Sequence, residues 1–533
     1  MKKRAYFALI SLFLLLSYGV YTLYNAATNT PYAETALSQQ QRKLTLLTSR
    51  GVIYDRNLIP ITNSENTLYA IVPPDLICLE SIRESAANEL DFNEIIKKGA
   101  PVITEVRYRT DNEKILYIES SNRYVKNQPL SNIIGYLNGK IGAAGLEKYG
   151  ENILNKYSGE LNATYTVDSL GNMLQGDGIT LDNSLDKKGG IVLTIDKNLQ
   201  IYTENIGKEL CLNNGAIVIL SVPDSEILAA ASFPLLDSSA PEKYLESENS
   251  PFVNKCFSSF APGSVFKLNI ALAALSEDKN IFSPYSFKYN CTGTTYSDGM
   301  AFSCFGAYPH GEVDLHLAIE KSCNCFFMNL SKLISPSTLI STSIKLGLTS
   351  STEIFPDYYI EGGKMPYEAD LRNNRALSNF AIGQGEVLLS PVKIAAMINT
   401  IASRGVYTEP TIYKGETNDG KKVTLEIKSA DSIPDFKVSD SLLIENYMAS
   451  AVNYGTATKG KSDLYKAFAK TGTAQTGKFI NDKELLNYWY AGFIETESKN
   501  RYVIVVLNAE AKENDNPTGE IFKAIGEFIA SNE

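Results

Sequence analysis

From Ala5 to Tyr24 the run AYFALISLFLLLSYGVYTLY holds no charged residue, whereas elsewhere apolar and polar positions interleave. At about 1.5 Å per helical residue, such a run matches the hydrocarbon core of a bilayer and predicts one transmembrane helix. Lys2, Lys3 and Arg4 precede it. Basic residues stay on the cytoplasmic side, so residues 1–4 are expected inside, 5–24 in the membrane and everything later outside. A cleaved signal peptide would have a shorter apolar stretch and a small-residue cleavage site, which Asn25, Ala26 and Ala27 supply only weakly. The expectation is therefore an uncleaved, single-pass anchor in the cell membrane.

Beyond the anchor, Asn25 to Arg42 is polar and reads as a helical stalk. Residues 44–186 alternate short β-like runs, such as TLYAIVPP and ILYIESS, with charged helical stretches such as SIRESAANELDFNEIIKKG. A turn-rich stretch, Asn183 to Gly190, marks a boundary, dividing residues 25–187 from 188–533. After it, GIVLTIDKNLQIYTENIGKEL predicts a strand and a helix. GAIVILSVPDSEILAAASFP predicts a hairpin turning at Pro223, Asp224 and Ser225. YWYAGFIE and YVIVVLNA read as late strands, followed by a helical GEIFKAIGEFIA. The fold class is α+β, with helices gathered around an antiparallel sheet, and no internal repeat is visible.

Composition narrows the function. The 533 residues, 44% hydrophobic and 21% charged, describe a folded chain of two to four domains rather than a disordered or fibrous one. Fifty basic against 60 acidic residues leave a net charge of −10. That balance offers no field for nucleic acid, so no such partner is expected.

The chemistry concentrates in three places. In APGSVFKLNIALAALSED, Pro262 and Gly263 break the chain and an apolar helix starts near Ser264. Lys267 then sits one turn on, on the same helical face. A serine hydroxyl is a poor nucleophile until a base takes its proton, and a desolvated lysine can do so. The spacing alone is common: Ser184/Lys187 and Ser276/Lys279 match it in polar contexts and read as surface. Two further stretches single out the first match: Ser322-Cys323-Asn324, beginning 58 residues after Ser264, and Lys470-Thr471-Gly472-Thr473, beginning 148 residues after Ser322.

SxxK, SxN and KTG in this order resemble the signature of penicillin-recognising serine enzymes. RGVIYDRN, GAAGLEKYGENIL, TIDKNLQ, ASFP, AIGQGEVLLSP and YGTAT extend the resemblance to most of the chain and to class B penicillin-binding proteins. The resemblance implies a five-stranded antiparallel sheet flanked by helices in residues 188–533, an elongated non-catalytic pedestal in 25–187, and D,D-transpeptidase activity on peptidoglycan stem peptides. Ser264 would attack the penultimate D-alanine carbonyl and Lys267 would act as base. Ser322 would relay a proton, and Asn324 would hold the substrate or Lys267. Lys470, Thr471 and Thr473 would meet the terminal carboxylate, Gly472 would let the backbone approach, and Ser264 and Thr473 N–H groups would form the oxyanion hole. β-Lactams would acylate the same serine. No glycosyltransferase signature is present, so a membrane glycosyltransferase of the SEDS family is the implied partner.

Gly383-Gln384-Gly385 is better read as a turn into a helix that starts at Pro391 than as a phosphate loop. Catalysis implies no cofactor. Of seven cysteines, Cys291, Cys304 and Cys323 join His310 in a set that suits tetrahedral Zn²⁺. Some elongation-type relatives carry a metal here, with a ligand at the middle of SxN. A Cys291–Cys304 disulfide and buried free thiols are the competing readings, while Cys325 and His316 read as packing and surface residues. Two rival functions stay open: a carboxypeptidase or β-lactamase that hydrolyses its acyl-enzyme, and a non-catalytic sensor or scaffold. A sensor would carry a cytoplasmic signalling domain, and the four residues ahead of the anchor leave no room for one.

Overall fold

The computed structural model describes residues 2–28, 40–174, 176, 178–247, 250–277, 283–426 and 435–533. Much of the expected stalk, residues 29–39, and Lys279 of the third SxxK match lie outside them. Helix α1 (Lys2–Thr28) contains the one span among the described residues long and apolar enough to cross a membrane. None of it is buried against protein, as a lipid-facing helix requires.

Two compact units emerge. The first comprises residues 1–50, 63–123 and 157–187. It holds two three-stranded antiparallel sheets, in which Gly159–Thr166 and Asn66–Val72 are the central strands. The second comprises 51–62, 124–156 and 188–533. Two stretches of the 25–187 block thus belong to the larger unit. One carries the RGVIYDRN motif from Gly51 on: Val52–Tyr54 pairs in parallel with Gly190–Leu193, whose other edge takes Tyr413–Thr417.

The larger unit is organised by five strands, β1 (Gly215–Ser221), β2 (Ile227–Phe233), β3 (Lys466–Ile480), β4 (Lys483–Glu495) and β5 (Arg501–Ala511). They lie in the order β2-β1-β5-β4-β3, every pair antiparallel. Both faces are buried along most of β1, β2, β4 and β5, which explains why those strands read as nearly continuous apolar runs, whereas β3 at the edge keeps exposed positions. Alternation along each strand divides the core in two. Val218, Trp489, Phe493 and Val505 pack on the side of helices α3 (Lys267–Ser276) and α5 (Pro391–Ala402). Ile217, Ile219, Tyr490 and Ile504 pack on the side of α7 (Thr518–Ser531), which lies beside α2 (Lys197–Glu209). Helix α3 is buried from Lys267 to Leu275, all round. An apolar helix with no wet face is a core element, and its one lysine is buried with it.

Candidate active site

The site forms where the start of α3, the Ser322-Cys323-Asn324 turn and strand β3 meet. Gly263–Phe266 make a 3₁₀ turn leading directly into α3, with Ser264 half-buried in it. Glycine is required before the serine: at φ +55°, a Cβ on Gly263 would lie 2.5 Å from the Thr473 carbonyl oxygen. Gly472 is equally constrained, since its Cβ would stand 2.8 Å from the Pro262 carbonyl and 3.0 Å from Val265. Strand β3 therefore presses against the serine turn backbone to backbone. Trp489 on β4 locks the approach by donating its indole N–H to the Ala261 carbonyl at 2.9 Å.

Lys267 is fully buried and has three acceptors. Its Nζ donates to the Ser322 carbonyl at 2.7 Å, to Asn324 Oδ1 at 2.6 Å and to Ser322 Oγ at 3.3 Å. Lys470, also fully buried, donates to Ser322 Oγ at 2.7 Å and to the Thr471 carbonyl at 3.0 Å. Ser322, held at φ +57°, is thus an acceptor shared by two lysines. Its own proton stays free to be donated elsewhere. Burial lowers the Lys267 pKa to about 8, against the opposing pull of Cys323, Cys304 and Cys325. Burial and then the neighbouring Lys267 hold Lys470 well below its ordinary value. Two cations in one dry pocket disfavour each other, so one gives up its proton readily.

The remaining motif residues complete the rim. Asn324 opens helix α4 (Asn324–Ser331) and donates to the Ser303 carbonyl at 2.8 Å. Thr471 Oγ1 bonds Thr456 Oγ1 at 2.9 Å, and Thr473 is exposed on β3. Gly383 at φ +67° accepts the Gly263 N–H at 3.0 Å. That GxG segment buttresses the serine turn, and α5 begins at Pro391 behind it. Ser184 and Lys187 are exposed residues of the smaller unit. Among the described residues, Ser264 makes no side-chain hydrogen bond. Thr456 was visible only as part of YGTAT; no spacing rule ties it to Thr471.

Cys291, Cys304, His310 and Cys323 also converge, their donor atoms all within 4.8 Å of one another. Cys304 Sγ lies 3.7 Å from Cys291 Sγ and 3.8 Å from Cys323 Sγ, and Cys291 Sγ lies 3.5 Å from His310 Nδ1. Tetrahedral Zn²⁺ with bonds near 2.3 Å to sulfur would set sulfurs about 3.8 Å apart, so the set fits that ion. All seven cysteines are free thiols, Cys291 and Cys304 included. Cys325 is buried 3.6 Å from Cys304, and His316 stacks on Tyr447.

Residues 215–527 match the family model of the penicillin-binding protein transpeptidase domain. The chain belongs to that family. Stage V sporulation protein D of Bacillus subtilis is 24% identical over 515 residues, covering 90% of this chain and 76% of that protein. The peptidoglycan D,D-transpeptidase MrdA of Escherichia coli K12 is 24% identical over 551 residues, covering 89% and 84%. Both are class B penicillin-binding proteins, the class of this chain as well. Among solved structures, the penicillin-binding protein PBP2 in complex with MreC from Helicobacter pylori shares the fold at TM-score 0.66 and 19% identity, covering 92% of this chain and 98% of that one. A peptidoglycan synthase complex that coordinates polymerization and crosslinking contains a chain matching at TM-score 0.68 and 21% identity, covering 98% and 97%.

Proposed function

We propose that this penicillin-binding protein cross-links peptidoglycan through an acyl-enzyme on Ser264. The observation that carries the reading is the chain Lys267–Ser322–Lys470, two buried lysines on one hydroxyl, set one turn from the serine. Lys267, as the neutral amine, takes the Ser264 proton while Oγ attacks the penultimate D-alanine carbonyl of a stem peptide. The N–H groups of Ser264 and Thr473 hold the oxyanion. Ser322 passes a proton to the departing D-alanine amine and is reprotonated from the lysine pair. Thr471 and Thr473 receive the terminal carboxylate, with the Lys470 charge behind them. The amine of a second stem peptide then attacks the acyl-enzyme, forming the cross-link and freeing Ser264. β-Lactams enter the same first step and stay attached.

Cys291, Cys304, His310 and Cys323 are proposed to hold structural Zn²⁺, which would pin Cys323 and with it the residues on either side. It takes no part in proton transfer. Helix α1 anchors the protein with residues 1–4 inside and the catalytic unit outside, where a SEDS-family glycosyltransferase supplies the strands.

The test is labelling of the full-length protein with a fluorescent penicillin, beside Ser264→Ala, followed after a chase with unlabelled drug. Label that persists for hours and is lost in the variant is the expected result. Rapid release moves the assignment to a hydrolase, and no label on folded, zinc-loaded protein moves it to a scaffold.

A further inference from the structure

Glu320 closes the helix Leu315–Glu320 two residues before Ser322, and it is buried. Its backbone carbonyl accepts the Thr456 N–H at 3.2 Å. Ser450 donates its hydroxyl to Oε2, and Lys321 Nζ stands 3.0 Å from Oε1. The same Lys321 Nζ donates to the Tyr454 carbonyl at 3.1 Å. Ser450 and Tyr454 belong to helix α6 (Val438–Tyr454), whose end turns through Gly455 into Thr456. The packing there leaves no slack: a Cβ on Gly455 would lie 2.3 Å from the Glu320 carbonyl oxygen and 2.8 Å from its Cγ. Thr456 Oγ1 in turn bonds Thr471 Oγ1 of strand β3 at 2.9 Å.

Through Thr456 these contacts join two segments of the site. One bears Ser322 and Asn324; the other bears Thr471. A carboxylate suits the junction because it can accept from Ser450 and pair with Lys321 at once, which an apolar side chain cannot. The bonds from Ser450 and Lys321 outweigh burial and hold Glu320 below the usual carboxylate range, so it is charged near neutrality.

We propose that Glu320 is a positioning residue of the transpeptidase site: tied to Ser450 and Lys321, it sets the Gly455–Thr456 turn, and through Thr456 it aims the Thr471 hydroxyl at the carboxylate of the incoming ligand. The inference rests on the acyl-transfer reading given above. Because it acts on ligand capture rather than on Ser264 itself, its loss weakens half-saturation and spares the maximal acylation rate.

The experiment measures acylation of the full-length protein in detergent by a fluorescent penicillin carrying its carboxylate, over a range of concentrations. Glu320→Ala and Thr456→Val should each raise the half-saturating concentration about tenfold, with the saturating rate within about threefold of wild type. The double variant should be no worse than the poorer single one, since both break one chain of contacts. Additive effects, an unchanged half-saturation or a fall in the saturating rate alone would each overturn the inference. If Glu320→Ala fails to fold, Glu320→Gln and Lys321→Met take its place, and normal half-saturation in both sinks the idea. A wild type that takes no label overturns the acyl-transfer reading and this inference with it; a labelled wild type with unaffected variants overturns this inference alone.

Discussion

Lys267 and Lys393 share nearly every property by which a catalytic lysine is usually sought. Both are buried, both have three oxygen acceptors, and burial lowers the pKa of each to about 8. Lys393 donates to the Gly347 carbonyl at 2.9 Å, the Ser350 carbonyl at 2.7 Å and Thr352 Oγ1 at 2.6 Å. Those acceptors follow one another along a single stretch, just after the helix Pro336–Lys345. The lysine clamps that stretch onto α5, and among the described residues none of its acceptors is shared with a second cation. At Lys267 the acceptors include a hydroxyl that Lys470 also contacts, so a proton has somewhere to go. A displaced pKa alone does not distinguish a base from a clamp. The connection to a second proton carrier does.

The largest test of that contrast exchanges the two lysines' fates. Lys267→Met should slow penicillin acylation about a thousandfold or more while the protein stays folded. Lys393→Met should do the reverse, leaving acylation within about threefold but costing about 1–3 kcal/mol of stability, because its acceptors lose their donor. Acylation rates beside denaturant unfolding separate the two. Metal removal should come next: chelation, or Cys323→Ser, is expected to strip one zinc per chain and slow acylation about 10- to 100-fold by loosening the turn that carries Ser322. Metal analysis checks the first part independently of activity. Gly472→Ala should slow acylation about tenfold, since its Cβ meets the Pro262 carbonyl and Val265 and pushes β3 off the serine turn.

The smallest effect is in pH. With Lys267 titrating near 8, the neutral base increases about fivefold from pH 7 to pH 8, and acylation should rise with it. Stability should rise over a higher window. An unfolded lysine keeps its proton to about 10.4, whereas folded Lys393 releases it near 8, so between those values the unfolded chain binds more protons and folding gains as pH increases. Lys393→Met should remove its own share of that slope, leaving the shares of Lys267 and Lys470, and leave the pH–rate profile unchanged.

The motifs containing Ser264, Lys267, Ser322, Asn324 and Lys470 were readable because each is a contiguous string and their order is informative. The strands β4 and β5 were readable from their apolar runs, and the hairpin of β1 and β2 from its turn. The interleaved course of 51–62 and 124–156 was not, because the parallel pairing of Val52–Tyr54 with Gly190–Leu193 leaves no local mark. Nor were Thr456 and Glu320, whose roles depend on partners far away in the chain.

By itself, then, the sequence determined the apolar anchor, the apolar runs that make the central strands of the sheet, and the set of groups able to carry acyl transfer. These depend on residue type and short spacing, where the geometry of helix and strand leaves few choices. Only the tertiary structure decided that Lys267 and Lys470 meet on one serine hydroxyl, that three cysteines and a histidine gather within reach of a single ion, and that Lys393 is a clamp. Each of those outcomes is a contact between segments brought together by burial of the core, and hydrogen-bond partners chosen that way are set by packing rather than by neighbourhood in the chain.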